Sequence, residues 1–449
     1  MRYDMSSKLR YPSEKDLENN RLLGIIEGAS AKTIFNLTSG AFLVGLLKTM
    51  GASDAFCGYI LAIPVLAAGA QVFSPIVLES LESRKRIIVI GSMLHRLLLV
   101  SLIATPFLPV SPDTRLIIAT IIFLISNVAN SFVNPAISNM YVSFVPQNIR
   151  GRYFGRRESY LLLVATFVTL IVGRILDNFT AAGKELNGHI VVYSFIFFFT
   201  IVNSLSYMLM KEVPLRHTNT RLKLSDVFTR PLKDRRFILY FIMLIIYNFG
   251  VQIANAYYSV YLKSDLNMSY TFINILNLLN AILYVFSASR WGRFADRRGW
   301  ATTTMLTVGI LGICHCTWFF CSEQSILLIP LLVMCHILGG IAWSGINVSL
   351  FNLQFDFTPD KNRTMYIGFS AAISGVLGYL AAMVGAQLVS RFGQNKILFL
   401  GAFFDIKQIL FLTSGLLLLI CSIYIFFFMK NTKTKKTKKA NEEEDSSMP

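Results

Sequence analysis

Apolar residues come in long runs along this chain, separated by short polar stretches. The runs fall near 22–49, 55–79, 86–109, 115–143, 158–180 and 189–211, and then near 237–262, 268–290, 301–321, 325–354, 364–390 and 406–429. A helix of about 20 apolar residues crosses the hydrocarbon core of a bilayer. A helix also satisfies its own backbone where no water can. The pattern therefore predicts an all-α membrane protein with twelve transmembrane helices in two six-helix halves. The expected organisation is a cytoplasmic segment over 1–21, an N-terminal bundle over 22–211 and a cytoplasmic linker over 212–236. A C-terminal bundle over 237–429 and a disordered cytoplasmic tail over 430–449 follow.

Composition agrees with lipid as the solvent. Hydrophobic residues make up 54% of the chain and charged residues only 15%, against about 25% charged in soluble domains. The formal net charge is +17. Its distribution argues against a nucleic-acid partner, because the basic residues cluster between apolar runs. With the N-terminus inside and loops alternating, 32 Lys and Arg fall inside and 7 outside. That bias sets topology in membrane proteins and predicts both termini in the cytoplasm. Residues 1–21 are polar and do not read as a signal peptide. The six cysteines lie in or beside apolar runs, where free thiols behave as small apolar groups. Cys314 and Cys316 would point about 200° apart on a helix, so neither a metal site nor a disulfide is expected.

The halves share a phrase. Residues 144–155 read FVPQNIRGRYFG and residues 357–368 read FTPDKNRTMYIG. Both fit F-x-P-x-x-x-R-x-x-Y-x-G, and both fall in expected cytoplasmic loops, after spans 4 and 10. Parallel repeats of this kind occur in secondary transporters.

Residues 292–299 read G-R-F-A-D-R-R-G. This stretch resembles the loop motif G-x-L-A-D-R-x-G-R/K of the major facilitator superfamily, and the resemblance covers nearly the whole chain. It implies a pseudo-two-fold along the membrane normal and transport by alternating access. It also implies a cytoplasmic latch including Gly292, Asp296, Arg297 and Gly299, with Arg150 and Arg363 from the repeated phrase. The first-half counterpart around Glu79 to Arg86 lacks the Asp-Arg-x-Gly core. Family drug exporters often carry an arginine in span 4, where Asn127 stands here, and a Gly- and Pro-rich motif in span 5, which has only Gly173. Drug–proton antiport is therefore disfavoured.

The family's cavity-lining spans 1, 4, 7 and 10 hold this chain's polar intramembrane residues. Such residues are expensive in lipid and face the bundle interior or a wet cavity. Lys32 and Asn36 share a face of span 1. Lys32 could hold an anionic solute or pair with a carboxylate in a structural ion pair. Asn130 and Asn134 continue a stripe from Asn127. Asn248 and Gln252 share a face with Asn255, and span 10 carries His336, Trp343 and Asn347. The substrate-binding candidates are Lys32, Asn36, Asn130, Asn134, Asn248, Gln252, Trp343 and Asn347; interhelical hydrogen bonding is the alternative for the amides. Glu27 is the candidate for proton coupling. His95 and Arg96 in span 3 read as scaffold, and Arg174 and Asp177 as a local pair or an outer gate.

No catalytic constellation or nucleotide-binding loop is present, so neither an enzyme nor an ATP-driven pump is expected, and no cofactor. The reading is a secondary transporter of a small, polar solute. It would act as a monomer in the plasma membrane, in contact with lipid, with a coupling proton or other ion left open. The alternatives are a multidrug or lipophilic-compound exporter and a non-transporting receptor or scaffold on the same fold.

Overall fold

The computed structural model describes residues 12–74, 85–146, 149–213, 231–358, 363–393, 397–399 and 402–430. The tail over 431–449, most of the linker and the Glu79–Arg84 stretch lie outside the described residues. The helices are α1 (Glu14–Leu37), α2 (Gly40–Thr49), α3 (Asp54–Ala67), α4 (Lys85–Ser101), α5 (Pro112–Phe144), α6 (Arg150–Ala181) and α7 (Glu185–Leu209). After the linker come α8 (Arg235–Val260), α9 (Tyr270–Arg298), α10 (Trp300–Phe319), α11 (Leu328–Phe357), α12 (Arg363–Phe392) and α13 (Ile406–Tyr424). Among the described residues, eleven helical stretches are long and apolar enough to cross a membrane. The bent pair α1–α2, with a 46° break, makes up to twelve. The twelve runs read from the sequence and the observed spans coincide. Among the described residues the helices are joined by one hairpin of β1 (Ile397–Phe399) and β2 (Ala402–Phe404), antiparallel between α12 and α13.

Local chemistry sets the helix ends. Ser13 caps α1 through a reciprocal box with Asp16, and Asp405 does the same for α13 with Gln408. These side chains take up amide protons that have no partner in the first turn. Asp234 accepts from the amides of Arg236 and Phe237 to start α8. Gly299 separates α9 from α10 at φ +85, a conformation costly for any residue with a Cβ. That requirement explains a glycine at the motif's last position.

The chain divides into two compact units. The first holds residues 1–53, 63–221 and 268–274; the second holds 54–62, 222–267 and 275–449. In the first unit α1 packs on α6 and α7, and α4 on α5. In the second, α8 packs on α12 and α13, and α10 on α11 and α13. The repeated phrase does the same work in each. Phe144 and Tyr153 lie in the core of the first unit, and Phe357 and Tyr366 in that of the second. Tyr153 donates to the Arg21 carbonyl at 2.9 Å, and Tyr366 to Asp234 at 3.4 Å. Each tyrosine thus ties the phrase to the first helix of its own unit, or to that helix's cap.

Outer faces are apolar. On α6, Tyr160, Leu163, Val164, Phe167 and Ile171 are exposed while Leu161, Ala165, Val172 and Leu176 are buried. A helix with apolar residues on its outer face as well as its inner one is suited to lipid.

Candidate functional site

The first unit is built around a buried carboxylate. Glu27 of α1 is 3% exposed. Arg96 Nη2 lies 3.7 Å and Arg157 Nη2 3.4 Å from its oxygens. Asn203 Nδ2 donates to Glu27 Oε1 at 3.0 Å, and the Tyr141 hydroxyl donates to Oε2. Arg96 Nε is fixed in turn by Asn203 Oδ1 at 2.6 Å, and Arg157 Nε by the Gly24 carbonyl at 3.0 Å. The Arg157 guanidinium sits 4.5 Å from the Tyr141 ring centroid. A buried charge is tolerable only when paired and fully hydrogen-bonded, and this cluster meets that condition. His95 is locked to Ser126 of α5 at 2.8 Å, so both polar side chains of span 3 are engaged within the first unit.

Lys32 lies one turn further along α1. It is half-buried, sits 5.8 Å from the Phe35 ring centroid, and has no ion-pair partner among the described residues. The structural ion pair considered for it is therefore not formed here. Asn36 and Asn130 are half-buried and Asn134 is exposed; none makes a hydrogen bond among the described residues. Asn127 spends its amide on the Phe123 carbonyl. Asp177 does not pair with Arg174. It accepts from the Tyr270 amide at 2.7 Å and from the Thr271 amide and hydroxyl at 2.8 and 2.6 Å, capping α9.

The second unit holds a cavity of about 210 Å³. Its polar lining is Asn255 of α8, Asn277 and Asn280 of α9, His315 of α10, and His336 of α11 with Trp343. Tyr258 and Trp318 complete an aromatic wall. Tyr258 stacks on Phe411 at 4.5 Å, and Trp318 lies 5.0 Å from Tyr258 and 5.7 Å from His336. Of the substrate candidates, only Trp343 lines this cavity. Asn248 instead bonds to the Leu244 carbonyl and Ser374. Gln252 pairs with Asn255 at 3.2 Å, and Asn347 donates to the Tyr284 hydroxyl at 3.1 Å.

The contribution of α10 is absent from the expectations above. Leu311, Cys314, His315 and Trp318 recur at intervals of three, one and three residues, one helical face, and that spacing is legible in the sequence. The six cysteines are unbridged, and among the described residues no group of three or more His, Cys, Asp or Glu could hold a metal ion.

The loop motif occupies the last turns of α9. Asp296 and Arg297 are exposed, without ion pairs among the described residues. A Cβ on Gly292 would meet nothing within 4 Å. Arg150 and Arg363 begin α6 and α12; their side chains lie outside the described residues.

This many-helix fold with internal polar groups defines a multi-pass membrane protein of transporter architecture. The chain belongs to the major facilitator superfamily, whose family model matches residues 28–353 and 240–448. A search of curated proteins returns no match. Among solved structures, a mutant of the nucleoside transporter NupG is similar over 92% of this chain and 98% of its own, at 16% identity and TM-score 0.70. A bacterial homologue of the iron transporter ferroportin, in its inward-facing state, covers 92% and 98% at 12% identity and TM-score 0.66. A D-xylose–proton symporter covers 93% and 98% at 15% identity and TM-score 0.61. Identities this low establish the fold alone, and the three cargoes differ in kind.

Proposed function

We propose that this protein is a secondary transporter of a small, polar solute, working by alternating access as a monomer. The observation that carries the reading is the cavity of the second unit, where Asn, His and Trp side chains converge inside an apolar bundle. Polar groups are costly there unless something wet or a ligand uses them. That structurally similar proteins include a nucleoside transporter and a D-xylose–proton symporter supports a polar cargo. Lys32 and Asn36 are the first unit's candidates for contact with the solute, since neither side chain has a hydrogen-bond or ion-pair partner among the described residues. Asp296 and Arg297, with Gly292, Gly299, Arg150 and Arg363, form the cytoplasmic latch. The exposure of Asp296 and Arg297 suits an ion pair made only in another state of the cycle.

Glu27 is the candidate for coupling to a proton. Its protonation would leave Arg96 and Arg157 without a counter-charge, so coupling through it requires those arginines to find other partners during the cycle. The distribution of basic residues supports an orientation with both termini in the cytoplasm, and the plasma membrane is the location proposed.

Reconstitution tests the reading. Proteoliposomes should take up a radiolabelled polar solute from a panel of sugars, nucleosides, amino acids and organic anions, and Trp343→Ala should abolish the uptake. Uptake unchanged in Trp343→Ala would remove the cavity from the path. Single cysteines placed by Lys184→Cys and Lys361→Cys should label from opposite sides of the membrane.

A further inference from the structure

The hydrogen bonds around the cavity fix which way its polar groups act. His336 Nδ1 lies 2.7 Å from the Leu332 carbonyl. A carbonyl only accepts, so Nδ1 carries the proton, and in the neutral ring Nε2 is a bare acceptor. His315 Nδ1 lies 2.7 Å from Ser414 Oγ. The single Ser414 proton is committed to the Gly250 carbonyl, so His315 Nδ1 is again the donor and its Nε2 the acceptor. Asn280 directs its NH₂ at the His336 carbonyl at 3.2 Å, which leaves Oδ1 to accept. The Cys314 thiol is spent on the Cys335 carbonyl.

Neither Nε2 has a partner among the described residues. No Asp, Glu, Lys or Arg is among the lining residues, and neither ring has an ion-pair partner among the described residues. These three acceptors and two indole faces surround one uncharged space, together with the Tyr258 hydroxyl, unpaired among the described residues, and the Asn277 amide, which can donate or accept. A ligand that matches them offers O–H or N–H donors on one edge and an apolar ring face on another. An anion would meet no cation among the lining residues, and a purely apolar ligand would leave the three acceptors desolvated and unpaired, which is costly.

We propose that His315 and His336 are the specificity-determining residues of this cavity. Through their Nε2 atoms, with Asn280 Oδ1, they select a neutral ring bearing adjacent hydrogen-bond donors, as in a free sugar or the sugar of a nucleoside. This rests on the cavity being the solute's binding site.

The test is binding to the purified full-length protein in detergent, read by tryptophan fluorescence and by ligand-induced thermal shift. The probes are D-xylose and uridine as neutral rings, D-glucuronate as an anionic ring, and tetraphenylphosphonium as an apolar cation. The expected result is saturable binding of D-xylose or uridine that Trp343→Ala abolishes. Which of the two binds tells a free sugar from a nucleoside. His336→Phe and His315→Phe should each weaken it about tenfold or more, about 1.4 kcal/mol. His336→Gln, which keeps an acceptor near the position of Nε2 and guards against a mere packing defect, should stay within about threefold of wild type.

Binding of a neutral ring that needs Trp343 but is indifferent to both Phe variants overturns the inference and leaves the proposed transport site standing. Trp343-dependent binding of glucuronate or tetraphenylphosphonium with none of the neutral rings does the same. Absence of any Trp343-dependent binding overturns both.

Discussion

A Cβ atom on Gly28 would lie 2.4 Å from Arg157 Nη2 and 2.8 Å from its Cζ. Glycine at this position lets the arginine lie against α1 and reach Glu27 next to it. Gly24, one turn earlier, gives Tyr141 and Tyr153 the same access, with a Cβ there 2.7 and 2.6 Å from their nearest atoms. The two glycines belong to the charge cluster as much as its polar members do.

Gly28→Ala should therefore destabilise the first unit. A helical Gly→Ala change normally gains about 1 kcal/mol. Here Arg157 is held by Glu27 and the Gly24 carbonyl and cannot withdraw without loss. Overpacking of about 1–3 kcal/mol is expected to outweigh the gain. The measurement is the apparent Tm in detergent, with Gly155→Ala as the control. Gly155 lies on the exposed face of α6, where a Cβ meets nothing within 4 Å. A Tm rise in both variants would refute the close-approach argument.

Glu27→Gln separates two roles for the carboxylate. If Glu27 only neutralises Arg96 and Arg157, the variant should lose about 3–5 kcal/mol, the usual consequence of breaking a buried ion pair, and all transport should fall with it. If it also carries the coupling proton, a variant restabilised by Arg157→Met should exchange solute across the membrane while failing to concentrate it with a proton gradient. Concentrative uptake by the double variant would end the coupling assignment.

The spans were legible because lipid imposes a simple rule on length and polarity, and the Lys and Arg bias predicts their direction. The repeated phrase showed its purpose only with the structure, where Phe144, Tyr153, Phe357 and Tyr366 proved to be core anchors. The site was legible in part. Asn255, His336 and Trp343 stood out as polar or aromatic groups in apolar runs, and all three line the cavity. His315 did not, because it lies 21 residues from His336 and only the packing of α10 on α11 brings both to one cavity. Asn248 and Asn347 looked equivalent to the lining residues but are spent on Leu244, Ser374 and Tyr284. Partner choice of that kind depends on rotation of each helix within its bundle, which periodicity alone leaves open.

Asp177→Ala should loosen the start of α9. The carboxylate takes two backbone amides and the Thr271 hydroxyl, and loss of an N-terminal cap costs about 0.5–2 kcal/mol. Amide hydrogen exchange at residues 270–273 should speed up while exchange in α10 is unchanged. Asp177→Asn, which keeps one acceptor oxygen, should fall between. Equal protection in all three proteins would show that α9 begins stably without this cap.

Lys407, in the first turn of α13, is 1% exposed. Its Nζ lies 2.6 Å from Asp54 Oδ2 and 2.6 Å from Asp265 Oδ1, with Asp405 at 4.0 Å. One cation thus answers to three carboxylates within the second unit. Lys407→Met keeps the stem but removes the charge, leaving the acids to repel one another. The expected loss is about 3–5 kcal/mol near neutral pH. Its pH dependence carries the sharper prediction. Protons neutralise carboxylates, so acid removes the repulsion in the variant while weakening the ion pairs in the wild type. The gap in apparent Tm between the two proteins should therefore shrink as pH falls from about 8 to about 5. A gap that stays constant would mean that packing of the lysine stem, rather than its charge, holds this corner of the protein together.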